Sequence, residues 1–131
     1  MKNYIAKADK KTSSNKKQFS MFVGRWQPLH IGHQWLFNQA LEEGKNVLIC
    51  IRDVEPDEKN PYTPEEVKLN IETHYKDLII KEKVKVIIIP DIESINYGRG
   101  VGYYVIEHVP PQEIHDISAT KIREQMRQNE K

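Results

Sequence analysis

An apolar run that leads into a glycine turn and two histidines constrains the fold of this chain more than any other feature. Phe19 to Val23 is apolar except for Ser20, and the letters GRWQPLHIGH follow at residues 24–33. The run predicts a buried strand, and the glycine permits a tight turn before a helix. Two imidazoles and free backbone N–H groups at a helix start are suited to surrounding a polyphosphate. The same residues also fit an ordinary strand-turn-helix junction with two surface histidines.

Two further apolar runs, at residues 47–51 and 84–89, predict a parallel sheet. Both are rich in β-branched residues and nearly continuous, as is typical of strands covered on both faces. Apolar spacing predicts a helix over 31–41, and the letters TPEE at 63–66 form a capping box at the start of a second helix. Strands that alternate with helices imply right-handed βαβ units. We therefore predict an α/β, minimal Rossmann-like fold with a mostly parallel sheet and helices on both faces.

The pattern is weaker after Pro90, where three glycines within residues 98–102 indicate irregular backbone. We predict a short fourth strand at 103–109 and a final helix over 118–127. The segment between the third and fourth predicted strands is short for a crossover connection, so the predicted sheet is a small one.

The composition is typical of one globular domain in a reducing compartment. With 131 residues, of which 38% are hydrophobic and 30% charged, the chain is large enough for a single core. It contains neither an apolar run long enough to span a membrane nor the apolar region of a secretory signal. The only cysteine, Cys50, lies within an apolar run. We expect it to pack in the core, and we predict no thiolate metal site and a cytoplasmic location.

The charge of the chain is concentrated at its N-terminus. Residues 1–18 hold six lysines and one aspartate, a net charge of +5, so the remaining residues carry −4 of the total of +1. We predict a flexible basic arm over 1–18 and one domain over 19–131. Such an arm can contact nucleic acid, but its composition, rich in Lys, Ser and Asn, is typical of a solvated leader. The body has no basic stripe with interleaved aromatic residues, so nucleic acid is not expected as a partner.

Three segments are expected at the carboxyl edge of the sheet, where ligands of open parallel sheets bind. In the segment after the first strand, Gly24 allows the backbone to approach a phosphate closely. The segment after the second strand offers Arg52 and Lys59 as phosphate contacts or as solvated charges. Asn60 is expected to shape this loop and is also a candidate contact of the acceptor or a phosphate. The letters ISATKIR at residues 117–123 combine two hydroxyls and two cations at a predicted helix start, a pattern suited to binding an anion.

The letters HIGH at residues 30–33 and ISATKIR at residues 117–123 resemble the two signature motifs of the nucleotidyltransferase superfamily. That group includes cytidylyltransferases, nicotinamide-mononucleotide adenylyltransferases and pantetheine-phosphate adenylyltransferase. The resemblance covers nearly all of residues 19–127 and implies a Rossmann-like fold. It also implies a reaction in which an acceptor phosphate attacks the α-phosphate of a nucleoside triphosphate and pyrophosphate is released.

The resemblance implies roles for residues of both motifs. His30 and His33 would contact the triphosphate and stabilise the charge that grows on the transferred and leaving phosphates. Ser118, Thr120 and Arg123 would hold the β- and γ-phosphates from the opposite side, and Arg123 would join the two histidines as a catalytic residue. This chemistry depends on positioning and electrostatic stabilisation, so no covalent nucleophile is required.

Other residues are assigned to the nucleotide by the same resemblance. These positions are Gly24, Arg25, Trp26, Gln27, Gly32 and Lys121. Because packing is the commoner role of a tryptophan ring, the backbone near Trp26 is expected to seat the nucleotide. Mg²⁺ is expected with the triphosphate, held by phosphate oxygens and water, and no protein metal site is predicted.

The motifs differ in the nucleotide that they favour. The letters GRWQP and NPYT, at 24–28 and 60–63, are similar to GRFQP and NPFT of archaeal-type nicotinamide-mononucleotide adenylyltransferases, which favours ATP. However, Val67 replaces a basic residue that is usual in that group. The short chain and ISATKIR are closer to glycerol-phosphate cytidylyltransferase, although the arginine that precedes its motif is missing from residues 111–116.

We therefore predict transfer of a nucleoside monophosphate, with AMP favoured, to a small phosphorylated acceptor. A CTP-dependent cytidylyltransferase that acts on glycerol phosphate or a similar alcohol phosphate is the alternative, and a non-catalytic nucleotide-binding module is a second one. Arg99, which lies among glycines, is a candidate ligand of the acceptor phosphate. Dimers are common in the superfamily, so a homo-oligomer is a further expectation.

Overall fold

The computed structural model describes residues 16–100 and 102–115. Most of the predicted basic arm and the whole predicted helix 118–127 lie outside the described residues. Three strands and four helices occur within them. In chain order they are β1 (Phe19–Gly24), α1 (Ile31–Leu41), β2 (Asn46–Asp53), α2 (Pro64–His74), α3 (Lys76–Ile80), β3 (Val84–Pro90) and α4 (Gln112–His115).

The strands form one parallel sheet in the order β1-β2-β3. Phe22 of β1 pairs with Ile49 of β2, and Ile49 pairs in turn with Val86 of β3. The three carboxyl ends therefore lie along the same edge, and the loops that follow β1 and β2 are neighbours there. The predicted α/β class with a parallel sheet and helices is confirmed.

Alternate residues of the sheet form the core. Val47, Ile49 and Ile51 of β2 are at most 1% exposed. Phe37 of α1 and Ile71 of α2 belong to the same buried cluster. Both long helices thus pack on one face of the described sheet, as right-handed crossovers in this strand order require, so the predicted placement of helices on both faces is not found among the described residues. Among the described residues, no helix is long and apolar enough to cross a membrane.

Two sequence signals at helix ends have the predicted effect. Thr63 is the N-cap of α2, since its hydroxyl accepts from the Glu66 N–H at 3.1 Å and the Glu66 carboxylate accepts from the Thr63 N–H at 2.9 Å. Gly44 stops the chain after α1 with a φ of 78° and donates its N–H to the Leu41 carbonyl at 3.0 Å. Cys50 is buried, as predicted, and burial raises the pKa of its thiol.

The predicted fourth strand at 103–109 is wrong. The structure has no strand in this segment. Instead, His108 stacks on Phe22 of β1 with ring centroids 6.2 Å apart. The segment has the β-branched and aromatic composition of a strand, but a strand also needs a neighbour for its backbone hydrogen bonds, and here no ladder forms with β1.

Candidate active site

The start of α1 is built from two histidines that cap one another. His30 is the N-cap, and its Nδ1 accepts from the Gly32 N–H at 3.0 Å. His33 returns the interaction, since its Nδ1 accepts from the His30 N–H at 3.3 Å. A neutral imidazole that accepts at Nδ1 carries its hydrogen on Nε2. The capping arrangement therefore makes both rings Nε2–H donors at the N-terminus of a helix.

The two imidazoles are stacked, and His33 stays neutral. Their centroids lie 3.7 Å apart with an angle of 22° between the planes. Burial, and to a smaller extent the adjacent His30, lowers the pKa of His33 from 6.5 to about 3. A neutral His33 keeps its Nδ1 as an acceptor throughout the physiological pH range, so its half of the cap does not depend on pH there.

The buried ring of Trp26 packs against His33 and supports this arrangement. It meets His33 edge-on, with centroids 4.9 Å apart, and its Nε1–H donates to the Cys50 carbonyl at 3.0 Å. The side chain is only 6% exposed. A Cβ at position 24 would lie 3.0 Å from this ring, so the tight fit requires Gly24. The ring thus packs, as expected from the sequence, and little of it is exposed.

Gln27 also supports the site, although the sequence assigned it to the nucleotide. We call residues 25–30 the first loop and residues 54–63 the second loop. The Gln27 side chain is 5% exposed and bonds only to the backbone of Tyr62 in the second loop, accepting from its N–H at 3.0 Å and donating to its carbonyl at 2.7 Å.

Arg25 points toward the second loop as well. One guanidinium nitrogen lies 3.9 Å from the Asp57 carboxylate, and the other donates to the Glu55 carbonyl at 3.4 Å. Asp57 organises this loop by accepting from the N–H groups of Lys59 and Asn60, and the hydrogen bond from the Asn60 backbone is the main reason that its pKa is lowered. Asn60 therefore shapes the loop, as predicted.

Three predicted cations differ in their surroundings. Arg52 is paired with Asp91 across the ends of β2 and β3, through Nε and Nη2 at 2.8 and 2.7 Å. Lys59 is exposed on the second loop. Arg99 is exposed in the segment without helix or strand after β3. The structure therefore gives Arg52 a carboxylate partner and places Lys59 and Arg99 at exposed positions.

The segment around α4, which follows β3, lies near the start of α1. His108 lies against Phe22, and Ile114 of α4 would be 3.9 Å from a Cβ added at Gly32. The second motif begins three residues after Ile114. Its predicted site residues Ser118, Thr120, Lys121 and Arg123 lie outside the described residues.

Sequence reasoning missed two carboxylates, Asp57 and Asp91. The first had a local signal, because an aspartate three residues before an asparagine in a polar loop is typical of an Asx turn. The second had none, since its contact with Arg52 depends on the register between β2 and β3. Within the described residues, no group of three or more His, Cys, Asp or Glu side chains is arranged to hold a metal ion.

Comparison with known proteins agrees with the first motif. Residues 21–78 match the family model described as cytidylyltransferase-like. These residues include the first motif, the second loop and α2. The comparison supports the nucleotidyltransferase family, in its cytidylyltransferase-like branch, that the sequence predicted.

A curated relative points in the same direction. The chain is 27% identical over 108 residues to the nicotinamide/nicotinic acid mononucleotide adenylyltransferase of Acinetobacter baylyi. The match covers 68% of this chain and 57% of that protein, so the chain spans little more than half the length of this relative. A nucleotidyltransferase-like function is supported by these findings.

Proposed function

We propose that this protein transfers a nucleoside monophosphate, with AMP favoured, from a nucleoside triphosphate to a small phosphorylated acceptor and releases pyrophosphate. The observation that carries the proposal is the reciprocal cap of His30 and His33, which turns both imidazoles into neutral Nε2–H donors at the start of α1. Donors fixed before the substrate arrives need no reorganisation when charge develops on the phosphates.

The electrostatics of the first turn agree with this proposal. The first turn of α1 contains no acidic residue, whereas α2 begins with Glu65 and Glu66. The positive end of the α1 dipole is thus available to an anion, and that of α2 is already compensated. Of the two helix starts at this sheet edge, α1 is the better phosphate site.

In the proposed reaction, an acceptor phosphate oxygen forms a bond to the α-phosphorus and the bond from that phosphorus to the pyrophosphate oxygen breaks. His30 and His33 donate hydrogen bonds to the phosphate oxygens on which negative charge increases. Gly24 leaves room for the Trp26 ring that packs against His33, and Gly32 leaves room for the His30 ring. Mg²⁺ would enter with the triphosphate, coordinated by phosphate oxygens and water, and would neutralise part of the charge.

The preference for ATP rests on the letters GRWQP and NPYT and on the name of the Acinetobacter relative, which is an adenylyltransferase. CTP with an alcohol phosphate such as glycerol phosphate is the second candidate, because the matching family model is described as cytidylyltransferase-like.

Pyrophosphate release tests both candidates. Purified protein is incubated with Mg²⁺, ATP or CTP, and either nicotinamide mononucleotide or glycerol 3-phosphate. We expect release with one pair, and we expect His33→Gln to reduce it by about 10²–10³-fold. Glutamine is a common partner in a capping box, so this variant keeps the helix start. His74→Gln, at an exposed position on α2, is the matched control.

One combined result would contradict the transferase proposal. If no pair supports release, and wild type and His33→Gln bind the triphosphates equally well, the protein is a non-catalytic binding module and the transferase proposal is wrong.

A further inference from the structure

Gln27 is the only polar residue among the described ones that is as buried as the hydrophobic core. Both polar atoms of its amide bond to one residue that lies 35 positions further along the chain, through the bonds to the Tyr62 N–H and carbonyl. A buried amide that both accepts from and donates to one backbone unit behaves like a short bridge between strands. The two bonds fix the distance and the orientation of the two loops.

The position of Gln27 in the first loop gives this bridge its importance. Trp26, which supports His33, precedes it, and His30, the N-cap of α1, follows three residues later. On the other side, Tyr62 directly precedes Thr63, the N-cap of α2. Gln27 thus lies between Trp26 and His30 in the chain, and its bonds to Tyr62 hold this part of the first loop beside the start of α2.

The other polar contacts between the two loops are made by Arg25, and they are weaker. Arg25 lies 3.9 Å from Asp57 and donates at 3.4 Å to the Glu55 carbonyl, both at exposed positions of the second loop. Exposed ion pairs of this kind contribute little. By contrast, removal of the Gln27 amide would leave the partly buried N–H and carbonyl of Tyr62 without this partner, and an unsatisfied buried polar group lowers the stability of the folded state. The bridge through Gln27 is therefore the stronger of the polar contacts that hold the first loop on the second loop.

We propose that Gln27 is a positioning residue, which holds the first loop on the second loop and thereby places His30 and His33 for the transferred phosphate. The inference rests on the proposed function, but it requires no contact between Gln27 and the nucleotide. Its consequence is specific: loss of the bridge impairs the chemical step, which needs accurate placement, more than it impairs binding of the triphosphate.

The first test compares Gln27→Met with Gln39→Met. Gln39 is also partly buried, and its amide bonds only within α1, to the Trp35 carbonyl at 2.9 Å. We expect Gln27→Met to lower kcat by about 10- to 100-fold, with KM for the triphosphate within about threefold of wild type. Rates are divided by the folded fraction, measured by circular dichroism at the assay temperature. A kcat within about twofold of wild type, or an equal loss in Gln39→Met, overturns the proposal.

A second variant, Gln27→Glu, restores the bridge by protonation. The ionised carboxylate still accepts from the Tyr62 N–H, but it opposes the Tyr62 carbonyl instead of donating to it. The protonated acid donates and accepts as the amide does, and burial favours this neutral form. We expect kcat of Gln27→Glu relative to wild type at the same pH to rise as the pH is lowered from 8.5 to 6, while Gln27→Met shows no such recovery. If the ratio of the two kcat values does not change with pH, the proposed role of the Gln27 bridge is wrong.

A third measurement separates this inference from the proposed function. Histidine nitrogen chemical shifts report which ring nitrogen carries the hydrogen, and they need no substrate. We expect both histidines of wild type and of Gln39→Met to be Nε2–H tautomers, and Gln27→Met to show a mixture at His30 and His33. If the wild type releases no pyrophosphate, the proposed function fails while this comparison still stands. Identical tautomers in wild type and Gln27→Met overturn the positioning role even if the enzyme is active.

Discussion

The two long helices begin at the same sheet edge with the same kind of cap but with different residues. In α2 the reciprocal pair is Thr63 and Glu66, and in α1 it is His30 and His33. Threonine and glutamate are among the common residues for a capping box, whereas histidine is not a preferred N-cap. The histidine pair is a less favoured cap, but it places two imidazole Nε2–H donors at the positive end of the helix.

The two helix starts therefore differ in what they offer an anion. The acids at the start of α2 compensate its dipole and repel anions. The start of α1 has no acid in its first turn, and under the proposed function its capping histidines also bind phosphate. Exchange of residues between the two starts should therefore separate stability from activity.

The largest effect is expected when the cap of α2 is transferred to α1. The double variant His30→Thr and His33→Glu replaces two donors with a hydroxyl and a carboxylate at the proposed phosphate site. We expect pyrophosphate release to fall by at least about 10³-fold, while the free energy of unfolding changes by about 1 kcal/mol or less. Activity assays and urea unfolding check the two halves. Activity within tenfold of wild type would mean that the histidines are caps and nothing more.

A smaller effect is expected from Gly32→Ala. The added Cβ would lie 2.7 Å from Cε1 and 3.0 Å from Nδ1 of His30, so the ring must move and its bond to the Gly32 N–H is lost. We expect activity to fall by about 10- to 100-fold. Alanine favours a helix over glycine, so stability should not fall in parallel. Gly98→Ala, where a Cβ meets nothing within 4 Å, is the control and should retain full activity.

The pH dependence of stability should also distinguish the two starts. His33 has a pKa of about 3 in the folded protein and 6.5 in the unfolded chain. The unfolded state binds the additional proton between these values, so the free energy of unfolding falls as pH is lowered from 6.5 to 3, by up to about 2 kcal/mol at pH 5. Denaturant unfolding at pH 7.5 and 5 measures this change. His33→Gln should reduce it and Thr63→Ala should not, and equal slopes in all three proteins would contradict the assignment.

The smallest effect is expected at the start of α2. Thr63→Ala removes the hydroxyl that accepts from the Glu66 N–H. We expect a loss of about 1 kcal/mol in the free energy of unfolding and no change in kcat per folded molecule, whereas Thr63→Ser should retain both. A loss of kcat in Thr63→Ala at full folding would show that the start of α2 also takes part in the site.

Local patterns predicted much of this architecture because their physical causes are local. The apolar runs at 19–23, 47–51 and 84–89 correspond to β1, β2 and β3, and the box at Thr63 lies where its spacing predicts. The segment 103–109 had the composition of a strand without its hydrogen-bond partner, so composition alone led to the wrong prediction there. The second motif at 117–123 lies outside the described residues, and its half of the proposed site stays a prediction.

The sequence by itself determined the class of fold, the three strands and the two helix starts, because each depends on residues a few positions apart. Only the tertiary structure decided what their neighbours do. Gln27 and Trp26 appeared in a nucleotide-binding motif, yet their side chains bond to Tyr62 and Cys50, 35 and 24 positions away. Arg52 has Asp91 as its partner only because β2 and β3 are in that register. Contacts over such distances follow from how the strands are ordered and not from any local spacing.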